Sequence, residues 1–177
     1  SPAADWTKAT VSNYNTFIIK NNGTLWAMGD GRFGLLGNGT TTTINPTLQQ
    51  IGIATNWQKI SASTQMTIGL KTDGTIWGWG QNDQYEMGNN TCCANQLTPI
   101  QIGTANHWVD IESTSMGASA FALKNDGTIW GWGLNTGGLL ADNTVMARSV
   151  PTQLNADTDW ASIHVGVAHI LALKTNG

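Results

Sequence analysis

Short apolar runs, each closed by a lysine, recur along the chain: Phe17-Ile-Ile-Lys20, Ile68-Gly-Leu-Lys71, Phe121-Ala-Leu-Lys124 and Leu171-Ala-Leu-Lys174. Asn22-Gly23, Asp73-Gly74 and Asp126-Gly127 follow the first three, pairs suited to the positive φ of tight hairpin turns. After the turn, polar and apolar positions alternate with the period of two of a strand, as in Thr75-Ile-Trp-Gly-Trp79, which sets Trp77 and Trp79 on one face and Gly78 on the other. The small residues Ala27, Gly78 and Gly131 are expected to leave that second face open to a neighbouring backbone. These patterns predict strands at 17–20, 24–28, 68–71, 75–79, 121–124 and 128–132. No apolar stripe of helical period bounded by caps occurs, so helix is expected to be minor.

The pattern is a repeat. Glycines 23, 74, 127 and 177 recur at intervals of 51, 53 and 50 residues, and Trp6, Trp57, Trp108 and Trp160 at 51, 51 and 52. Pro46, Pro99 and Pro151 are a third marker. Trp to Lys spans 14 residues in the first, second and fourth copies and 16 in the third, which predicts a bulge or longer turn between Trp108 and Lys124. A unit of this length, with a Trp-led strand, a tight hairpin and a long Gly/Asn/Thr-rich return, matches one four-stranded propeller blade. A single blade cannot bury both of its faces, whereas stacked blades can. The expected fold is all-β: a partial β-propeller of three blades (residues 6–56, 57–107 and 108–159) and the start of a fourth (160–177), all in one domain, 1–177.

The repeat resembles the RCC1 family. Trp160-Ala-Ser-Ile-His-Val-Gly166-Val-Ala-His169-Ile-Leu-Ala-Leu-Lys174-Thr-Asn-Gly177 fits the first half of the family unit, and Trp26-Ala-Met-Gly29-Asp-Gly-Arg-Phe-Gly34-Leu-Leu-Gly37-Asn-Gly39-Thr40 the second. The family histidine is replaced by Asn15, Met66 and Ser119 in the first three units, and its Gly-Gln-Leu-Gly signature becomes Tyr85-Glu-Met-Gly88 and Gly138-Leu-Leu-Ala141. The resemblance implies blades of a propeller that is seven-bladed in the family, roughly twice this chain. It therefore implies either further blades of the same polypeptide or a partner subunit against both end blades, since a bare half-hairpin edge favours association.

Composition narrows the functional classes. Eight Lys and Arg against eleven Asp and Glu give a net charge of -3, without the basic surface that nucleic-acid binding needs. No run of eighteen apolar residues suggests a membrane span, and Ser1-Pro2-Ala3-Ala4 lacks the pattern of a secretory leader. Gly29-Asp-Gly-Arg-Phe-Gly34 has dinucleotide-fingerprint spacing, but a turn-rich sequence stands where a helix should begin, and the other copies lack the pattern. Asp30 and Asn38 lie outside any calcium-loop pattern and read as turn caps. His164 and His169 fall on opposite faces of a strand, His107 holds a turn position, and no nucleophile elbow is present. No cofactor, metal site or catalytic constellation is expected. The nine Trp recur once or twice per unit and read as packing between blades rather than a stacking platform for sugars or bases. Asn22-Gly-Thr24, Asn38-Gly-Thr40 and Asn89-Asn-Thr91 are glycosylation sequons that matter only in a glycosylating host.

What varies between copies is the better guide to function. The loops carrying Thr41-Thr-Thr-Ile44, Thr91-Cys-Cys-Ala-Asn-Gln96 and Val145-Met-Ala-Arg148 occupy one place in successive units, and propellers commonly bind partners there. The candidate partner-binding residues are Arg32, Phe33, Thr42, Ile44, Tyr85, Cys92, Cys93, Gln96, Met146 and Arg148. Adjacent Cys92 and Cys93 are open to three states: a vicinal disulfide, a bond to another chain, or free thiols. The resemblance, with no catalytic chemistry visible, implies a non-enzymatic scaffold for protein interaction or extracellular assembly. Family members include a nucleotide-exchange factor acting on a small GTPase on chromatin, and secreted bacterial propellers that inhibit β-lactamases. The acidic balance and the lack of a basic tail disfavour the chromatin role, and low Lys with abundant Thr, Asn and Gly leans to an extracellular or cell-surface setting over a cytoplasmic one. The competing classes are a lectin or enzyme using the ring's central opening and an exchange-type regulator.

Overall fold

The computed structural model describes residues 5–115 and 118–177. The N-terminal four residues and residues 116–117 lie outside the described residues. Three four-stranded antiparallel meanders are followed by a two-stranded hairpin. Blade one comprises β1 (Trp6–Val11), β2 (Asn15–Lys20), β3 (Leu25–Gly29) and β4 (Asn45–Gln50). Blade two comprises β5 (Trp57–Ala62), β6 (Met66–Lys71), β7 (Ile76–Gly80) and β8 (Gln96–Gln101). Blade three has β9 (Trp108–Ser113), β10 (Ser119–Lys124), β11 (Ile129–Gly133) and β12 (Arg148–Gln153), and the fourth unit has β13 (Trp160–Val165) and β14 (Ile170–Lys174). The extra residues of the third copy fall between β9 and β10, where the predicted bulge or longer turn includes positions 116–117 outside the described residues.

Each third strand begins one residue later than its pattern predicts, because the threonine belongs to the turn. Thr24, Thr75 and Thr128 each donate both backbone N–H and hydroxyl to the Oδ1 of Asn22, Asp73 or Asp126, with hydroxyl contacts of 2.7, 2.6 and 2.6 Å. The same hydroxyls accept from Trp26, Trp77 and Trp130 Nε1 at 3.0, 2.9 and 2.8 Å. Within these hairpins positive φ falls on glycine alone (74°, 77° and 77° at Gly23, Gly74 and Gly127). A Cβ there would also stand 2.0, 2.1 and 2.2 Å from the carbonyl oxygens of Thr55, Asn106 and Thr158 in the incoming linker, so two independent constraints select glycine.

The first strands β1, β5, β9 and β13 approach one another across blades, as the inner strands of a propeller do. The core lies between blades. Phe17, Ile19, Leu25, Ala27, Leu36 and Ile51 of blade one and its exit linker pack on Trp57, Ile60 and Trp79 of blade two. Met66, Ile68, Leu70, Ile76, Met87 and Ile102 repeat this against Trp108, Ile111 and Trp132. Trp79 and Trp132 are wholly buried, and their Nε1 atoms donate across the blade boundary to the carbonyls of Leu35 and Glu86, each at 2.9 Å. Gly78 and Gly131 face side chains, not the neighbouring backbone expected from the sequence. A Cβ at Gly78 would be 2.9 Å from Ile102, and one at Gly131 3.1 Å from Leu140 and Leu154. The small residue thus makes room for apolar side chains from the blade's own return and exit linker.

Candidate protein-interaction face

The meander divides the connections between two faces. The β1–β2 and β3–β4 connections, with their counterparts, form the rim face, and the β2–β3 hairpins and interblade linkers form the hairpin face. On the rim face the two connections of each blade are tied together by backbone bonds from Asp30 N to Tyr14 O at 3.2 Å and from Gln81 N to Gln65 O at 2.8 Å. The long loops are further held from inside. Buried Asn82 accepts from Met87 N at 3.1 Å and donates to Thr91 O at 3.1 Å; buried Asn135 accepts from Leu140 N at 2.8 Å and donates to the carbonyls of Thr144 and Met146. In blade one, buried Asn45 donates to Thr42 O at 2.7 Å. Asn38, Asn89 and Asp142 cap threonines 40, 91 and 144 in the same Asx arrangement as the hairpins, so all three sequons, Asn22 included, and the loop position of Asp142 are turn structure. These loops are long yet internally bonded, so their tips are presented by rigid backbone.

The candidate residues fall into two groups. Arg32 donates through Nε to Asp30 at 2.7 Å and lies 6.0 Å from the Tyr14 ring, and Arg148 donates through Nε to Asp142 at 2.6 Å. Both guanidiniums are committed to loop architecture. Partial burial works against the Asp30 and Asp142 carboxylates, yet bonds from Arg32 and Thr144 outweigh it and lower both pKa values. Thr42 likewise supplies a carbonyl to Gly31 N and Asn45 Nδ2, and Gln96 donates to Thr98 O. Phe33, Ile44 and Met146, by contrast, are exposed by 40%, 75% and 68%. Tyr85 is half-buried with positive φ, and Cys92 and Cys93 are joined in a vicinal disulfide in the rim loop of blade two. Tyr14 and Val145, exposed by 64% and 69%, belong to the same face and were missed. Tyr14 sits in a three-residue turn that carries no repeat marker, and its only signal was an aromatic among Ser and Asn.

Glu86 stands where the family signature has glutamine. It is fully buried, Oε2 accepts from Gln84 N at 2.7 Å and Oε1 has no partner; burial pushes its carboxyl above the usual range. On the inner strands, Lys59 donates to Asp110 at 2.6 Å and Glu112 at 2.9 Å. Burial opposes that ammonium, but the two bonds outweigh it and raise its pKa. The dinucleotide-like loop contains a three-residue 3-10 turn, Arg32–Gly34, where the fingerprint requires a helix. His107, His164 and His169 are all exposed, and among the described residues no group of three or more His, Cys, Asp or Glu is placed to hold a metal ion. No helix among the described residues is long and apolar enough to cross a membrane.

Family models described as regulator of chromosome condensation (RCC1) repeat match residues 73–119 and 126–173, and a second RCC1 repeat model matches 57–86. The human probable E3 ubiquitin-protein ligase HERC6 is 26% identical over 159 residues, covering 88% of this chain and 15% of that protein. The RCC1 domain-containing protein RUG3, mitochondrial, of Arabidopsis thaliana is 24% identical over 159 residues, covering 84% of this chain and 35% of that protein. The chain thus spans a small part of these relatives. Among solved structures, Prp20p of Saccharomyces cerevisiae, whose study concerns its binding to Gsp1p and histones, superposes with a TM-score of 0.84 at 15% identity, over 95% of this chain and 43% of that one. The ectodomain of the Physcomitrella patens receptor kinase CR4 gives 0.58 at 16% identity, over 100% and 40%.

Proposed function

This chain belongs to the RCC1 repeat family, and from that premise we propose that it is a non-enzymatic scaffold that binds a protein partner through its rim face. The observation that carries the reading is the pairing of exposed apolar side chains with internally bonded loops: Tyr14, Phe33, Ile44, Val145 and Met146 project from backbone that the Asp30 N–H, Asn45 and Asn135 hold in place. Exposed apolar anchors on a preordered frame bind with little ordering cost. The matched region of the ligase relative is 15% of that protein, so a ligase activity is not carried over to this chain.

An extracellular or cell-surface setting is supported by the Cys92–Cys93 disulfide, which persists in oxidising compartments, and by the low lysine content. Thiol titration of protein from its native source tests this: no titratable thiol is expected, and two would argue for a reducing compartment.

The binding reading is tested by photo-crosslinkers placed singly at Phe33 and Met146 and, as a control, at exposed Thr47 on the outer strand β4. The rim positions should capture the same discrete protein and the control should not. Phe33→Ser, Ile44→Ser and Met146→Ser together should then weaken its binding at least roughly tenfold, the loss of one or two anchor contacts. Equal capture at Thr47, or unchanged affinity of the triple variant, would rule out the rim face as the binding surface.

A further inference from the structure

Beneath the linkers into blades two and three, on the hairpin face, the leading Trp of the blade, its hairpin Trp and the repeat lysine line a cavity. In blade two Trp57, Trp77 and Lys71 line about 290 Å³ together with Ile53 and Pro99; in blade three Trp108, Trp130 and Lys124 line about 300 Å³ with Pro151. Each ammonium lies 3.6 Å from the centre of the hairpin Trp ring and 4.9 Å from that of the leading Trp. Trp57 and Trp108 are only 4% and 5% exposed, and neither indole Nε1 has a hydrogen-bond partner. Among the described residues neither Lys71 nor Lys124 is in an ion pair, whereas Lys59 and Lys174 are. Asp73, the nearest acid to Lys71, is occupied by Thr75 and Asn56, and burial lowers the Lys71 pKa more than Asp73 restores it.

The fourth unit, which carries the leading Trp and the lysine but no hairpin Trp, pairs both groups within its own linker. There Trp160 Nε1 donates to Asn155 Oδ1 at 3.1 Å, and Lys174 Nζ pairs with Asp157 and Asp159, each at 3.0 Å. All three acceptors come from the linker itself. Counting back from the leading Trp, Asn155 stands where blades two and three have Gly52 and Gly103, Asp157 where they have Ala54 and Ala105, and Asp159 where they have Asn56 and His107. A Cβ at Gly52 or Gly103 would meet nothing within 4 Å. The fourth unit therefore supplies internally an amide carbonyl and a carboxylate that the second and third units lack.

We infer that the Trp57–Lys71 and Trp108–Lys124 cavities are two equivalent binding sites for an acidic peptide segment of a partner. A peptide carbonyl accepts from the orphan indole N–H, as Asn155 does, and a carboxylate one or two residues on meets the ammonium, as Asp157 does. The surrounding Ile53, Pro99 and Pro151 take its apolar atoms. Charge complementarity favours this occupant, because an ammonium flanked by two rings and in no ion pair, its nearby Asp73 or Asp126 being engaged by the hairpin threonine, gains most from an anion. The inference rests on the protein-binding reading only in making the ligand part of a protein; it concerns the opposite face and can fail alone.

The test titrates the blocked peptide Asn-Ala-Asp-Thr-Asp, the chain's own 155–159 sequence, into the full chain while following indole N–H resonances. Those of Trp57 and Trp108 should move, and those of Trp79 and Trp132, already bonded to carbonyls, should not. The uncharged Asn-Ala-Asn-Thr-Asn peptide should bind roughly tenfold weaker or worse, the loss of a charged hydrogen bond. Ala54→Asp with Ala105→Asp supplies the carboxylate internally and should abolish binding without lowering the unfolding temperature, and Ala54→Asn with Ala105→Asn should retain it. Lys71→Met with Lys124→Met should abolish it by the other route. Static Trp57 and Trp108 resonances at millimolar peptide, equal affinity of the uncharged peptide, or undiminished binding by either charge-altering pair would overturn the proposal. The Phe33, Ile44 and Met146 substitutions should leave this titration unchanged, which separates failure here from failure of the rim-face reading.

Discussion

Ala141 and Tyr85 hold the left-handed backbone that glycine takes at the matching places in other repeats, with φ of 53° and 65°. The family signature has thus lost its glycines here without losing its conformation. A non-glycine residue there is strained by about 1–2 kcal/mol, partly offset by the unfolded-state freedom that glycine adds. Ala141 is exposed, so Ala141→Gly should stabilise by about 0.5–1 kcal/mol in urea unfolding. Glu86→Gln should be stabilising at neutral pH by about 1 kcal/mol, because it removes an ionisable group buried with an unpartnered oxygen. Since the folded-state pKa of Glu86 is raised, the native state holds the proton longer, and stability falls as pH rises from the ordinary glutamate range through that raised value. The variant should lack this fall. Trp79→Ala should cost about 3–5 kcal/mol, through the cavity it leaves beside Phe17 and Trp57 and the lost bond to Leu35.

At the scale of the element, the hairpin is a relay in which Asn22, Asp73 or Asp126 fixes a threonine that fixes a tryptophan. The threonine bonds lower the Asp73 and Asp126 pKa values, so the stability these groups contribute is present above the ordinary carboxylate range and lost as pH falls through their depressed values. Asp73→Asn with Asp126→Asn reproduces the first repeat, and should leave neutral-pH stability nearly unchanged while flattening the acid limb of a pH–stability curve. These hairpins were legible in the sequence because their determinants lie within about six residues and the period of two is strict. The outer strands β4, β8 and β12 were not, since they are half-exposed edges whose apolar positions do not alternate. The rim loops were legible only as variable segments. That Arg32 and Arg148 serve their own loops depends on folding a long return back on itself, and the accepting role of Asn155 shows only when the leading tryptophans of different blades are compared in space.

At the scale of the whole molecule, apolar side chains stand exposed at both end units, with Val11 at 72%, Leu171 at 60% and Leu173 at 49%. We propose that further blades or another subunit cover these faces. The isolated 177-residue chain should therefore self-associate in light scattering, and a monodisperse monomer at high concentration would show that the end faces are tolerated. In the proposed division of labour a constant Trp, Gly and Lys framework carries the fold while the rim loops recognise the partner. Hydrogen exchange on the chain alone and in complex with the partner captured at Phe33 tests it most directly. New protection is expected in residues 30–44, 81–95 and 134–147, with little change in the first strand of each blade. Protection confined to the inner strands β1, β5, β9 and β13, with the rim loops unchanged, would contradict it and move recognition to the central opening.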